Sequence, residues 1–405
     1  MSRRSALGAF YASNGALECA ARRIAQVSQR PFSLSARLDT SMVHFTPTSS
    51  PQLDSLLSMI RHKIILPFYL PTEQRKKIFS PKYEKKLQSD PIIIEIDGEV
   101  FKFRYLNPFK DMPNTRRSVF AAISQFSTPA DFANLRPLLE GIAHGGRKLK
   151  PDFYCSVVRL VAQKGHIHDI IECARGAART NFRLDNSEKA NEVLHHIQMK
   201  AVESGWDEAE TTRTLRWAEM VIELMQEEEH QPRRLHDEKM LEGELPLYRD
   251  PMVLLAPLHL TAALVAKKGP EADADLVDKL NKYAKDIVRL WPEGKKLMEV
   301  QPKELFEDYH KMGYLREANK LAVLTTPLLY GLETAIPLIS SPELASQLQS
   351  RRDILAQEIE DARKAAIVKG AKKYELVWTK VYDNEYWRKG QEALKEQESK
   401  ETDSA

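Results

Sequence analysis

The residues in this sequence that are best suited to chemistry are lysines and arginines set among aromatic rings. Between Leu66 and Ser89, four aromatic side chains are interleaved with six basic ones, which are Arg75, Lys76, Lys77, Lys82, Lys85 and Lys86. Basic side chains neutralise phosphates and aromatic rings stack on unpaired bases, so this stretch predicts a surface for RNA. The alternative is a solvated charged face that covers aromatic residues of the core.

Two shorter groups of basic residues are candidates for the same chemistry. The first follows directly on His144-Gly145-Gly146, a sequence typical of a helix end. The second lies near the C-terminus, where tyrosines and tryptophans follow it. We therefore expect further RNA contacts in these groups, which are Arg147, Lys148 and Lys150, and Lys372 and Lys373.

The sequence indicates no catalytic site and no metal site. His166 and His168 lie close together, as do His195 and His196, but neither pair has further ligands at a suitable spacing. The chain contains neither a Gly-rich phosphate-binding motif nor a GxSxG motif. We therefore expect no catalytic residue, no bound metal, no cofactor and no small-molecule substrate, and we predict that the chain is not an enzyme.

The three cysteines, Cys19, Cys155 and Cys173, show no CxxC pairing. They do not form a disulfide framework or a zinc site by themselves. Cys155 and Cys173 lie on apolar helical stretches, where we expect small buried thiols.

The N-terminal segment, residues 1–38, is rich in arginine and serine and poor in acid. It holds six arginines, no lysine and a single acid, Glu18. This composition is typical of a mitochondrial transit peptide, and it predicts import into the mitochondrial matrix. A basic tail without a targeting role is the alternative.

The charge is distributed unevenly along the chain. The formal net charge is +3, and removal of residues 1–38 would leave −2. Between Asp39 and Lys150 there are 17 basic and 11 acidic residues, and the remainder from Pro151 carries −8. The mature protein is therefore not basic overall, so contact with nucleic acid must come from local patches.

The pattern along the chain predicts a mainly α-helical protein with a small N-terminal β-hairpin. The hairpin covers residues 91–106 with its turn at Asp97-Gly98, and no run of eighteen apolar residues indicates a transmembrane segment. The predicted regions are a basic arm (39–114), a helical-repeat region (115–230), a charged linker (231–249), a second helical region (250–370) and a basic aromatic C-terminal extension with its tail (371–405).

Paired helices are the predicted building unit. The clearest pair runs from Lys150 to Asp185 and is joined at Lys164-Gly165. A helix pair of this size cannot bury both faces alone, which implies stacked neighbours and an irregular helical-hairpin solenoid. The other predicted helices are Ser118–Phe126, Phe132–His144, Asn186–Ser204, Glu208–Gln226, Leu276–Trp291, Pro302–Met312, Leu315–Tyr330 and Pro342–Lys369.

The stretch from Pro151-Asp152 to Leu184-Asp185 resembles a pentatricopeptide-type repeat. The resemblance rests on the Pro-Asp entry, the aromatic Tyr154, the Lys-Gly joint and the second amphipathic helix. Neighbouring units lack the Pro-Asp step, so no base-reading residues are carried over from that family.

The whole layout resembles the accessory subunits of mitochondrial ribosomes, especially those of fungi. That resemblance implies a non-catalytic component of the mitochondrial translation machinery, with mitochondrial ribosomal RNA and ribosomal proteins as its partners. Two alternatives stay open, a free pentatricopeptide-like RNA-binding or translation factor and an assembly factor for a respiratory complex. The acidic body from Pro151 argues against the free factor, because phosphate contacts supply most non-specific affinity for RNA.

Overall fold

The computed structural model describes residues 42–232, 240–368 and 373–383. The predicted transit peptide, Cys19 and Lys372 lie outside these residues. Contacts between Cα atoms divide the described residues into a small unit, Met42 with Glu95–Glu99, and a main body that holds the others. In the small unit, the backbone N–H of Met42 donates to Asp97 Oδ2 at 2.7 Å.

The predicted fold class is confirmed, because the described residues are mainly α-helical and contain one two-stranded sheet. The strands are β1 (Ile92–Ile96) and β2 (Glu99–Phe103). The helices, in chain order, are α1 (Pro51–Ile60), α2 (Thr72–Ile78), α3 (Glu84–Ser89), α4 (Thr115–Gln125), α5 (Pro129–Phe132), α6 (Leu135–His144), α7 (Pro151–Gln163), α8 (Ile167–Arg175), α9 (Ala177–Thr180), α10 (Ser187–Glu203), α11 (Glu208–Leu224), α12 (Pro251–Lys268), α13 (Ala274–Leu290), α14 (Lys303–Glu307), α15 (Ala318–Ala335), α16 (Pro342–Val368) and α17 (Lys373–Tyr382).

The hairpin and the helix joints form where the turn residues predicted them. Asp97 and Gly98 have φ values of 51° and 81°, as a two-residue turn between twisted strands requires. Gly165 between α7 and α8 has φ of 84°, and Gly205 between α10 and α11 has φ of 67°. Trp206 follows in the same left-handed region at 61°, and its indole is stacked on the ring of Tyr330 at 5.8 Å.

The prediction of a helix over Pro302–Met312 is wrong in its second half. Helix α14 ends at Glu307, and the backbone N–H of His310 then donates to Asp308 Oδ1 at 2.9 Å. Gly313 packs so closely that a Cβ there would lie 2.8 Å from the carbonyl oxygen of Phe306. The chain therefore turns back on itself instead of continuing the helix.

Two hydrophobic clusters form the core of the main body, and α12 belongs to both. Its residues Val253, Ala256 and Leu260 pack in the first cluster, whereas Leu255, Leu258 and Ala262 pack in the second. A helix that packs on all sides is apolar all round. By length and composition α12 and α15 could cross a membrane, but 78% and 67% of their apolar windows are buried inside the protein. Core packing accounts for their composition.

Helix α10 carries buried charges that are paired with residues of other helices. Glu188 accepts from the ammonium of Lys320 in α15, and Glu192 accepts from the guanidinium of Arg159 in α7. Charges are expensive to bury unless they are paired. The polar residues of α10 therefore lie inside the body, between helices that precede and follow it in the sequence.

The segment before α1 is extended and is tied to the helices by two buried polar side chains. Asp131 accepts hydrogen bonds from the backbone N–H of Ser49 at 2.8 Å and from the Ser49 hydroxyl at 2.8 Å. Asn134 accepts from the N–H of Thr46 at 2.8 Å and donates to its carbonyl oxygen at 3.1 Å. Asp131 also completes the capping box of α5 with Thr128.

Candidate nucleic-acid interface

The longest predicted basic stretch folds into three short helical segments. Ile78 in α2 and Leu87 in α3 are buried and anchor the two helices. Phe79 and Tyr83 are half-buried. Helix α2 carries Arg75, Lys76 and Lys77, the turn Pro81–Tyr83 carries Lys82, and α3 carries Lys85 and Lys86. All five lysines are exposed and Arg75 is half-buried, so the segment presents its positive charge to solvent.

Little of this charge is neutralised within the protein. Lys76 Nζ lies 3.2 Å from Glu73 Oε1, and both side chains are mostly exposed. Such a surface pair contributes about 0–1 kcal/mol and is weakened by salt. Lys77 and Lys85 form no ion pair with another described residue. These ammonium groups are therefore available to a phosphate backbone.

Phe68 joins two of the basic groups that are far apart in the sequence. The guanidinium carbon of Arg75 lies 4.8 Å from the centre of the Phe68 ring, and that of Arg147 lies 5.6 Å from it. Both distances are within the range of cation–π contacts, which are worth about 0.5–1 kcal/mol at exposed sites. One aromatic ring thus holds two cations close together.

The end of α6 places Arg147 beside this ring. The N–H of Gly146 donates to Ala143 O at 3.0 Å, and the N–H of Arg147 donates to Ile142 O at 3.2 Å. Gly146 has φ of 62°, a conformation that glycine adopts without strain. The prediction that this sequence ends a helix is confirmed, and the exposed Lys148 and Lys150 follow on the way to α7.

Arg147 also lines an open pocket at the start of α4. The other lining residues are Phe79, Pro108, Met112, Pro113, Asn114 and Thr115. The Nε of Arg147 is buried and has no hydrogen-bond acceptor among the described residues. The guanidinium of an arginine that lines a pocket is suited to an anionic ligand.

The sequence reasoning missed two arginines close to this pocket, Arg116 and Arg117. Both lie in the first turn of α4, which begins at Thr115 after the cap residue Asn114, and both are exposed. Arg116 is paired with Asp152 at 2.9 Å. Cations in the first turn of a helix are unfavourable with respect to the helix dipole, so two arginines two and three residues after a cap residue are a signal that could have found them.

The C-terminal candidates are not brought to this surface by any described contact. Lys372 lies outside the described residues, and α17 begins at Lys373. Later residues of α17 pack into the body, because Val381 is fully buried and the Trp378 and Tyr382 rings stack at 4.2 Å. The Tyr382 hydroxyl donates to Glu333 at 3.0 Å. Part of the predicted aromatic extension is therefore core.

The histidine and cysteine candidates have structural surroundings. The described residues contain no group of three or more histidine, cysteine or acidic side chains that could hold a metal. His166 Nδ1 lies 2.9 Å from Asp169, and burial lowers the pKa of His195 well below its usual value. Cys155 and Cys173 are buried as predicted, and burial raises the pKa of both thiols.

Comparison with known proteins identifies similar chains over nearly the whole length. The family model described as mitochondrial ribosomal protein mS27 matches residues 30–384. A small ribosomal subunit protein mS27 of Neurospora crassa is 34% identical over 387 residues, which cover 89% of this chain and 97% of the relative.

Proposed function

This chain belongs to the mitochondrial ribosomal protein mS27 family, and on that premise we propose which surface of it holds ribosomal RNA. Family membership makes the chain a non-catalytic structural component of the mitochondrial translation machinery, with ribosomal RNA and ribosomal proteins as partners. It favours the ribosomal subunit over the free RNA-binding factor and over the respiratory assembly factor.

The proposed RNA-binding surface comprises the predicted basic residues of α2, α3 and the turn between them, and the basic residues that follow α6. We call it the basic surface, and its members are Arg75, Lys76, Lys77, Lys82, Lys85, Lys86, Arg147, Lys148 and Lys150. The observation that carries the proposal is the position of Phe68 between Arg75 and Arg147 at 4.8 and 5.6 Å. Like charges repel, so two cations held at one ring are stabilised when an anion binds. Phosphates of RNA are such anions.

The subunit and the compartment are finer parts of the proposal. The Neurospora relative is named as a protein of the small ribosomal subunit, which supports the small subunit for this chain as well. The arginine-rich residues 1–38 support delivery to the matrix by a transit peptide. N-terminal sequencing of the protein from purified mitochondria should give a start after this segment, and an intact Met1 terminus would contradict the transit peptide.

A charge-reversal experiment tests the basic surface. Lys77→Glu/Lys148→Glu changes one exposed lysine in each of the two basic groups that Phe68 joins, and Lys282→Glu/Lys285→Glu is the matched control on the exposed side of α13. Ribosomes from cells that express each variant are sedimented at low and at high salt, and RNA contacts are mapped by ultraviolet crosslinking. We expect the wild type and the control to sediment with the small subunit and to crosslink to its RNA.

The first variant should lose the crosslinks and leave the subunit at lower salt, because phosphate contacts depend on salt. Equal thermal melts of the two variants would show that the fold is intact. Crosslinking of the Lys77→Glu/Lys148→Glu variant at the wild-type level would contradict the basic surface. Sedimentation of the wild type apart from both subunits at low and high salt would contradict a ribosomal role.

A further inference from the structure

Phe109 is the most exposed large apolar side chain of the main body, at 95% relative exposure. It lies in the loop between β2 and α4, next to Pro108, which lines the Arg147 pocket. Single exposed apolar residues are common on protein surfaces and need no explanation. The setting of Phe109 distinguishes it, because hydrogen bonds close the loop, Lys110 follows the ring in the chain and Arg147 lines the adjoining pocket.

The loop is held by hydrogen bonds on both sides of the ring. Asn107 Oδ1 accepts from the backbone N–H of Phe109 at 2.9 Å and from that of Lys110 at 3.2 Å. Asp111 Oδ2 accepts from the N–H of Asn107 at 2.8 Å, and the N–H of Asp111 donates to Asn107 O at 2.9 Å. The ring is therefore presented to solvent by a preorganised turn, which reduces the entropy that binding would cost.

The charge near Phe109 favours a nucleic acid as the group that covers the ring. Lys110 follows it in the chain and is exposed, and Arg147 lies at the wall of the adjoining pocket. Asp111, the acid of this loop, is engaged with the backbone of Asn107. An apolar ring beside cations matches RNA, where unpaired bases stack on aromatic side chains while phosphates meet basic groups.

We propose that Phe109 stacks on an unpaired base of RNA while Arg147 binds a phosphate of the same strand in the adjoining pocket. This inference rests on the proposed RNA-binding surface and adds the form of RNA that it takes. A regular duplex keeps its bases stacked inside, so it offers nothing to Phe109. The surface is thus selective for single-stranded or looped segments.

Binding of defined RNAs to the full chain tests the proposal. The probes are a twelve-nucleotide single strand of mixed sequence and a blunt duplex of the same length, each at fixed moderate salt. The variants are Phe109→Ala, Phe109→Leu and Phe109→Trp. Stacking on one ring is worth about a tenfold change in affinity or more. We expect Phe109→Ala and Phe109→Leu to lose about tenfold for the single strand and nothing for the duplex, and Phe109→Trp to keep wild-type binding.

The failures of the two proposals are distinguishable. If Phe109→Ala binds the single strand as tightly as the wild type while Lys77→Glu/Lys148→Glu binds both probes weakly, the basic surface stands and the stacking role is overturned. If the wild type binds neither probe, both proposals are overturned. If Phe109→Leu binds the single strand as tightly as the wild type, the stacking role is overturned, because leucine has no ring to stack. If Phe109→Ala is lost from the ribosome without a change in RNA affinity, the ring docks on a protein instead.

Discussion

Gly331 in α15 lies directly against His259 in α12, because a Cβ atom on Gly331 would be 2.5 Å from the Cβ of His259. The missing side chain therefore permits the two central helices to approach at this level. His259 is fully buried, and its Nδ1 lies 2.9 Å from the side-chain oxygen of Gln198 in α10. The contact thus joins three helices around one imidazole.

Gly331→Ala should destabilise the body by forcing α12 and α15 apart. Overpacking of a core costs about 1–3 kcal/mol, and here the atom that would have to move is close to the backbone. Gly176→Ala is the matched control, because its Cβ would meet the end of the Arg136 side chain at 3.2 Å, which can move. Thermal melts should show a clear drop for the first variant and little change for the second; the reverse order would contradict the close approach.

The protein should lose stability as the pH falls below neutral. Burial, with Arg159 and Lys380 adding to it, lowers the pKa of His196 to about 4, although Glu192 lies 3.8 Å away. Burial lowers the pKa of His259 to about 3. Above a pH of about 6.5 both residues are neutral in both states. Between a pH of about 6.5 and the pKa in the folded state, only the unfolded chain takes up protons. At a pH of about 5, each histidine therefore lowers the free energy of unfolding by about 2 kcal/mol.

Urea denaturation at neutral and at acidic pH measures this loss. His196→Asn should reduce the difference in unfolding free energy between the two conditions, since it removes one titrating group. His310→Asn is the control, because His310 is exposed. An unchanged pH dependence in His196→Asn would show that this histidine is not held neutral by the fold.

Glu188→Gln alone should lower the free energy of unfolding more than Glu188→Gln together with Lys320→Gln. In the single variant the ammonium of Lys320 loses its carboxylate partner. We expect a loss of up to about 3 kcal/mol, the lower end of the range for buried pairs, because Lys320 is partly exposed. Glu188→Gln/Lys320→Gln should recover part of that loss. A double-mutant cycle from denaturant melts gives the coupling, and strictly additive effects would contradict the pairing.

Asp131→Ala should release the extended segment before α1. The carboxylate accepts hydrogen bonds from the backbone of Ser49, Ser127 and Thr128. Burial alone would raise the pKa of Asp131, but these bonds outweigh it and lower the pKa. We expect a loss of about 2–4 kcal/mol, since several donors lose their acceptor, and fast hydrogen exchange at Ser49. Glu84→Ala, an exposed acid in the first turn of α3, should leave exchange at Ser49 unchanged.

Phe68→Leu should weaken RNA binding while it preserves the fold. Leucine keeps an apolar side chain at this half-buried position but removes the ring that holds Arg75 and Arg147. Each lost cation–π contact corresponds to about 0.5–1 kcal/mol, so the loss of both should lower the affinity for RNA by about fivefold to thirtyfold. Phe120→Leu, at an exposed ring on α4, is the control. Equal RNA affinities of the two variants would show that Phe68 has no role in RNA binding.

Local elements of this fold were predictable because their signals are local. The glycines at 165 and 205 and the turn at Asp97-Gly98 mark the joints, and apolar periodicity marks the helices between them. The burial of α10 was not predictable, because Glu188 and Glu192 resemble surface residues until Lys320 and Arg159 are known to lie opposite. The pairing information is in distant parts of the chain.

The candidate site, like the fold, was only partly predictable from the sequence. Composition alone singled out Arg75 and Arg147, but only the fold shows that both lie on Phe68. The residues around Phe109 are rich in turn formers, but the exposure of its ring depends on the way Asn107 and Asp111 close the loop. Residue types therefore indicate the chemistry, and long-range packing decides which of those residues act together.

The double membership of α12 has a consequence for the order in which the protein is made. The first hydrophobic cluster includes Tyr330 from α15 and Val381 from α17 as well as residues of α12. A chain that is delivered from its N-terminus cannot complete that cluster until α17 has arrived. The packing of Val381 is therefore a late step, and the helices that precede α17 must wait with part of their apolar surface uncovered.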